Sequence, residues 1–521
     1  MSGDVRAQVA RAQALRTAGD VNGAVAALAR AARDHPREPD AWMALGGLLM
    51  EIAVARPAGA GAKIAPLDAA QQAFAQAVAL APRAPAVLAS AAMAARYACD
   101  WPRSEALLVE LRGLLDAGER APIPPLIAVA LLDDPAQLLA TARDHAGAQP
   151  HARAPAVVRR GDRLRVGYLS ADFHEHATAY LAAGLFERHD RARVETFAYA
   201  LDRDDGGPMR ARLKRAFAHW RDVRELDDDA AARTIRDDAL DVLVDLKGHT
   251  QGSRLGILAR RPAAVQIHYL GFPGTLAHPG IDALVADATV VPEGDERHFA
   301  ERVLRLPGCY QVNDRDRPLP PAPSRASVGL PDDALVLCSF NQAYKLTRPL
   351  VALWLDVLAR HGDAVLWLNV PHASAQRQLR AFAAARGVAP ERVVFAGYAK
   401  QEEHLARLRC ADLALDVLPY GSHTTGSDAL WCGVPLLTAT GATFAGRVGT
   451  SLVRAAGLPQ FAAPTLDAYA ERLEALVARR DALREAQAHL ERERRRLPLF
   501  DTDAFARAFE ALLQQAANGA A

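Results

Sequence analysis

The chain has 521 residues, 50% hydrophobic and 24% charged, with 62 Lys and Arg against 61 Asp and Glu. That balance shows no large excess of positive charge that would favour nucleic acid or anionic membrane, so neither is expected as a partner. The length exceeds one hydrophobic core and predicts roughly three domains of about 150 residues each. No apolar run reaches the ~18 residues that span a bilayer, and the start Met1-Ser2-Gly3-Asp4-Val5-Arg6 lacks the apolar stretch of a signal peptide, so a cytoplasmic protein is expected. Cys99, Cys309, Cys338, Cys410 and Cys432 are scattered, without the paired spacing of zinc or redox sites.

Residues 1–115 are Ala-rich with helical periodicity. Two segments in them look alike: 24–42 ends in His35-Pro36-Arg37-Glu38-Pro39-Asp40-Ala41-Trp42, and 70–88 ends in Ala81-Pro82-Arg83-Ala84-Pro85-Ala86-Val87-Leu88. A helix, a Pro-bearing turn and a second helix resemble the tetratricopeptide repeat of about 34 residues, with residues 56–68 as an insertion. A generic helical bundle is the plainer alternative. So short an array must cover its apolar face with another part of the chain, and the helical stretch around 126–146, within a connector of residues 116–162, is the expected bridge.

From Arg163 the pattern alternates short β-rich runs with helical ones, which predicts a parallel α/β unit over 163–316. Its expected strands are 164–170, 194–199, 241–246, 265–270 and 281–285, with helices at 208–219 and 228–237. The Pro-rich run Arg317-Pro318-Leu319-Pro320-Pro321-Ala322-Pro323 marks a linker over 317–333. Alternation resumes over 334–521, with strands expected at 335–340, 364–368, 392–395, 413–416 and 436–438. Two doubly wound units joined in this way place ligands in a cleft between them, at the carboxyl ends of their strands.

Four clusters sit at such strand ends. His423-Thr424-Thr425-Gly426-Ser427-Asp428 opens a helix, where unpaired amides and the positive dipole end suit a diphosphate; a ligand-free Thr cap fits the same residues. Asp428 serves either the helix dipole or ribose hydroxyls. Phe340-Asn341-Gln342-Ala343-Tyr344-Lys345 offers an ammonium that would neutralise a departing diphosphate, unless Lys345 is an ordinary surface lysine. Ala171-Asp172-Phe173-His174-Glu175-His176 lacks metal-ligand spacing, and a neutral histidine there suits acid/base or polar contact with substrate. Leu270-Gly271-Phe272-Pro273-Gly274-Thr275 allows backbone to approach a ligand, or is a tight turn.

With the clusters in this order, the chain resembles the O-linked N-acetylglucosamine transferase and SPINDLY family of protein glycosyltransferases, particularly its bacterial members. The resemblance runs from about Leu164 to the C-terminus and includes Arg165-Val166-Gly167-Tyr168-Leu169-Ser170-Ala171-Asp172-Phe173, Arg261-Pro262-Ala263, Val365-Leu366-Trp367-Leu368 and Glu402-Glu403-His404 besides the clusters. It implies a GT-B fold, two Rossmann-like doubly wound lobes preceded by all-α repeats, and inverting, metal-independent transfer without a cofactor. The donor would be UDP-GlcNAc, the product UDP, and the acceptor Ser or Thr of a protein or peptide guided by the repeats. It further implies that His176 is the active-site histidine and Lys345 the essential lysine, with Gln342 on the phosphates. His423, Thr424 and Thr425 grip the diphosphate, Asp428 the ribose, Ala399 and His404 the uracil, and Gly271 and Pro273 line the sugar pocket.

The chain departs from the family at several positions. Arg236 stands where animal enzymes carry a histidine, Ala177 where a proline follows the active-site histidine, Gln401 for a lysine, and Gly421-Ser422 for Asn-Gly. Arg236 cannot be a base. Related alternatives are fucosyl transfer from GDP-fucose and glucosyl transfer; alternatives of another kind are a non-catalytic repeat-bearing scaffold and a sugar-nucleotide epimerase.

Overall fold

The structure is a computed structural model that describes residues 3–55, 65–147, 152 and 162–519. The expected insertion at 56–68 and the connector at 116–162 thus lie partly outside the described residues. The chain divides into two compact units: Met1–Ile123 with Ser324–Lys400, and Pro124–Pro323 with Gln401–Ala521.

The first unit opens with six helices: α1 (Gly3–Thr17), α2 (Val21–Asp34), α3 (Pro39–Ala55), α4 (Pro66–Leu80), α5 (Pro85–Tyr97) and α6 (Trp101–Asp116). Each packs on its successor. Their starts are set locally: Asp20 accepts from the Gly23 amide to cap α2, Asp100 caps α6, and α4 and α5 each begin with a proline that needs no partner for its missing N–H. In α2, buried Ala24, Ala27, Leu28 and Ala31 recur at helical spacing and form one apolar stripe. At Gly46 a Cβ would lie 2.8 Å from the Phe74 ring, so glycine lets α3 approach α4. The two similar segments correspond to helix, proline turn and helix twice over, at α2 into α3 and α4 into α5.

The same unit contains the parallel strands β8 (Leu335–Ser339), β9 (Ala364–Leu368) and β10 (Val393–Phe395), in the order β10-β9-β8. The array is covered here: α5 packs on the short turn Ala343–Lys345 that follows β8. Tyr97 meets Tyr344 with ring centroids 4.9 Å apart, and Trp101 donates through Nε1 to the Leu346 carbonyl at 2.8 Å.

The second unit is built on a seven-stranded, wholly parallel sheet. Its strands are β1 (Leu164–Ser170), β2 (Val194–Ala200), β3 (His219–Asp222), β4 (Val242–Asp245), β5 (Val265–His268), β6 (Ala283–Asp287) and β7 (Arg302–Leu306), in the order β3-β2-β1-β4-β5-β6-β7. The order reverses between β1 and β4, the position at which doubly wound sheets leave a crevice beyond their carboxyl ends. The helices α7 (Pro125–Leu131) and α8 (Pro135–Ala146) belong to this unit, where Val129, Leu126 and Leu138 join a core cluster with Phe272, Leu276, Ile257 and Leu258. The unit also holds β11 (Leu413–Leu415), β12 (Leu436–Ala439) and β13 (Ala462–Ala463), parallel and adjacent in that order. No helix among the described residues is long and apolar enough to cross a membrane.

Candidate active site

Beyond β1 the chain turns sharply, with the Asp172 amide bonded to Ser170 Oγ at 3.0 Å. Asp172 is buried and receives Lys247 Nζ on both oxygens at 2.8 Å; Lys247, also buried, stands just past β4. Two buried charges persist only when each is matched, and this pair joins the loops after adjacent strands. His176 caps the helix Ala177–Arg188: its Nδ1 accepts from the Thr178 amide at 3.2 Å and stands 3.4 Å from Asp172 Oδ2. With Nδ1 accepting, the neutral ring carries its proton on Nε2. Burial holds the His176 pKa below the ordinary histidine value; Asp172 opposes this and Lys247 reinforces it. His174 is committed elsewhere, with Nδ1 3.0 Å from Asp202 Oδ2, the oxygen that also receives Arg210 at 2.6 Å.

The loop after β5 carries Gly271 and Pro273. A Cβ at Gly271 would fall 2.0 Å from the Leu246 carbonyl oxygen, so only glycine lets this loop run so close to the end of β4.

Past β11 the chain is ordered by Asp416. One carboxylate oxygen accepts from the amides of Val417 and Ser422 at 2.8 and 2.6 Å, the other from Thr438 Oγ1 at 2.6 Å. The segment thus fixed leads to His423, at the N-cap of the helix Thr424–Trp431. The backbone and hydroxyls of Thr424 and Thr425 thus stand in the first turn of this helix, at the positive end of its dipole. A Cβ at Gly426 would lie 3.0 Å from the side chains of Leu436, Leu452 and Ser422, so glycine lets the helix seat closely against β12.

Asp428 is buried, and its Oδ1 accepts from Arg317 at 2.8 Å, while Oδ2 lies 4.0 Å from His404 Nε2. Burial lowers the His404 pKa, partly offset by Asp428. Arg317 also donates to the Ser427 carbonyl at 3.2 Å and lies over the Trp431 ring at 5.1 Å from its centroid. In the first unit, Gln342 is exposed and precedes the turn of buried Lys345, whose amide bonds the Gln342 carbonyl at 2.9 Å; Ala399 is half-buried in the loop after β10.

The second unit thus brings His176, Gly271 and Pro273 to the ends of β1 and β5, and His404, His423, Thr424, Thr425 and Asp428 to the region beyond β11. Gln342, Lys345 and Ala399 belong to the first unit. Sequence reasoning missed Lys247, Asp416 and Arg317. The first two stand at strand ends, which was a usable signal; Arg317 opens a proline run and gave none.

Doubly wound parallel sheets preceded by helical repeats, with an amide-rich helix start after a strand, define the GT-B class of fold. The model of glycosyl transferase family 41 matches residues 141–322 and 318–509, and a tetratricopeptide repeat model matches 5–48. The chain belongs to glycosyl transferase family 41. It is 34% identical over 429 residues to the Arabidopsis thaliana "Probable UDP-N-acetylglucosamine--peptide N-acetylglucosaminyltransferase SEC", covering 78% of this chain and 44% of that one. It is 27% identical to the Caenorhabditis elegans UDP-N-acetylglucosamine–peptide N-acetylglucosaminyltransferase, covering 69% and 41%. The chain therefore spans less than half the length of these relatives. A solved structure of a mutant O-GlcNAc transferase from Thermobaculum terrenum superimposes with TM-score 0.78 at 28% identity, with 100% of each chain covered.

Proposed function

We propose that the chain is an inverting protein O-glycosyltransferase that moves N-acetylglucosamine from UDP-GlcNAc to Ser or Thr hydroxyls. The observation that carries this reading is the helix start at His423, Thr424 and Thr425, held by Asp416 in a chain whose relatives are described as UDP-GlcNAc-dependent peptide transferases.

In this reading the diphosphate rests on the amides and hydroxyls of Thr424 and Thr425, with His423 and Gln342 as further contacts. The acceptor oxygen forms a bond to the anomeric carbon from the face opposite the leaving group. The bond from that carbon to the β-phosphate oxygen breaks, and UDP departs with its electron pair. Lys345 and the helix dipole meet the charge that develops on UDP, an interaction strongest in the transition state. A ring whose Nδ1 accepts from the Thr178 amide presents Nε2–H outward, so His176 donates to and orients a ligand. The hydroxyl proton then passes to a phosphate oxygen of the donor. Ala399 and His404 receive the uracil, Gly271 and Pro273 the sugar, and the repeats guide a protein acceptor in the cytoplasm. Asp428 is already engaged by Arg317, so it serves the ribose through its second oxygen or by fixing His404.

Thermal-shift titration with UDP-GlcNAc, UDP-glucose and GDP-fucose tests the donor. Stabilisation is expected to be greatest with UDP-GlcNAc; a larger shift with GDP-fucose overturns the reading.

A further inference from the structure

The loop over residues 270–278 is held in an unfavourable shape by buried ionisable groups outside the machinery described so far. Leu270 and Ala277 both adopt left-handed backbone, at φ of 70° and 49°, although neither is glycine. Residues in that region persist only where their surroundings over-determine them. Two devices do so here.

The first is Glu301, buried immediately before β7. Its Oε2 accepts from Thr275 Oγ1 at 2.7 Å, and its Oε1 accepts from the amides of both Leu276 and Ala277 at 2.8 Å. Thr275 Oγ1 in turn accepts from the Ala300 amide at 3.1 Å. A carboxylate, which only accepts, matches these three donors.

The second is His268, fully buried at the end of β5. Nε2 lies 2.8 Å from the Phe272 carbonyl oxygen and Nδ1 3.3 Å from Asp245 Oδ2. Both partners are acceptors, so the ring satisfies them by donating from both nitrogens, as an imidazolium. Asp245 is fixed independently by the amides of Lys247 and Gly248 at 3.2 and 2.7 Å. Burial alone would depress the His268 pKa, but the hydrogen bond and charge of Asp245 outweigh it and hold it above the ordinary value.

We propose that Glu301 and the His268–Asp245 pair are positioning residues, clamping the loop so that Gly271 and Pro273 present a rigid wall to the sugar of the donor. This rests on the functional reading above. Neither Glu301 nor His268 is assigned to the donor; each acts through the loop backbone. A rigid wall gives the sugar an ordered contact at no further entropic cost, whereas the diphosphate grip at Thr424 is served by other elements.

The test uses the full chain carrying Glu301→Gln, which keeps the shape and loses the second acceptor oxygen, and separately His268→Leu. Amide hydrogen exchange over residues 270–278 is expected to accelerate in both. The KM for UDP-GlcNAc is expected to rise about tenfold, the effect of losing one charge-assisted hydrogen bond, while the Kd for UDP stays within about twofold. Unchanged exchange in both variants overturns the clamp. Faster exchange with unaltered KM, or UDP affinity falling in step with KM, overturns its role in presenting the sugar. If the wild-type chain binds no UDP-GlcNAc, the functional reading fails, while the exchange data still decide the clamp.

Discussion

The indole Nε1 of Trp101, at the start of α6, donates to the carbonyl of Leu346 at 2.8 Å, one residue beyond Lys345. The helical array is therefore part of the wall behind the lysine turn as well as a candidate acceptor platform. Tyr97 against Tyr344 and Trp101 against Phe382, with centroids at 4.9 and 5.0 Å, complete this contact.

Replacing Trp101 by Phe keeps the aromatic packing and leaves the Leu346 carbonyl without this donor, which costs about 1–3 kcal/mol. Thermal unfolding should report that loss. If the turn positions Lys345 for the departing nucleotide, kcat falls while the KM for UDP-GlcNAc changes little. Lower stability with unchanged kcat would make the contact purely structural.

The Arg317–Asp428 pair yields a second prediction. Arg317→Ala leaves a buried carboxylate without its cation, a loss of about 3–5 kcal/mol read as a lower urea midpoint. The double variant with Asp428→Asn should recover part of it. Equal losses in the single and double variants would show that packing of Arg317 on Trp431 and Phe500, at 5.1 and 5.4 Å, matters more than the charge.

The sequence made the interior of this architecture readable and its margins less so. β1 and β9 coincide with the expected 164–170 and 364–368: β9 is a fully buried, continuous apolar run, and β1 is buried at every position but Arg165. β3, β7 and β13 escaped: His219-Trp220-Arg221-Asp222 and Arg302-Val303-Leu304-Arg305-Leu306 lie at sheet edges and carry charge, and β13 is two residues long. The expected bridge at 126–146 forms helices, but these belong to the second unit, whereas the array is covered within its own unit by the Lys345 turn. Such a contact spans 245 residues of sequence and leaves no local signal. Arg317 was obscured in the same way, because only its tertiary partner Asp428 reveals that a residue opening a proline run is buried.

His249 provides a pH prediction. Burial depresses its pKa to about 4, the Leu276 carbonyl opposes this, and the neighbouring His145, His268 and His278 add to it. Between the unfolded value near 6.5 and about 4 the unfolded chain binds a proton that the folded chain does not, so stability falls as pH drops through this window and levels off below it. The contribution is at most about 1.4 kcal/mol per pH unit. His249→Gln retains an amide donor for Leu276 and should flatten this part of the curve, as measured by urea unfolding at a series of pH values. An identical slope in the variant would assign the acid sensitivity to other groups.

The central claim is tested most directly by incubating the wild-type chain and Lys345→Ala with UDP-GlcNAc and a protein extract of the source cell, and mapping modified residues by mass spectrometry. The account predicts N-acetylhexosamine on Ser or Thr with the wild-type chain, and a rate lower by about 10²–10³ with Lys345→Ala, the usual cost of removing a group that stabilises transition-state charge. Absence of any adduct with the wild-type chain, or full transfer by Lys345→Ala, would contradict it.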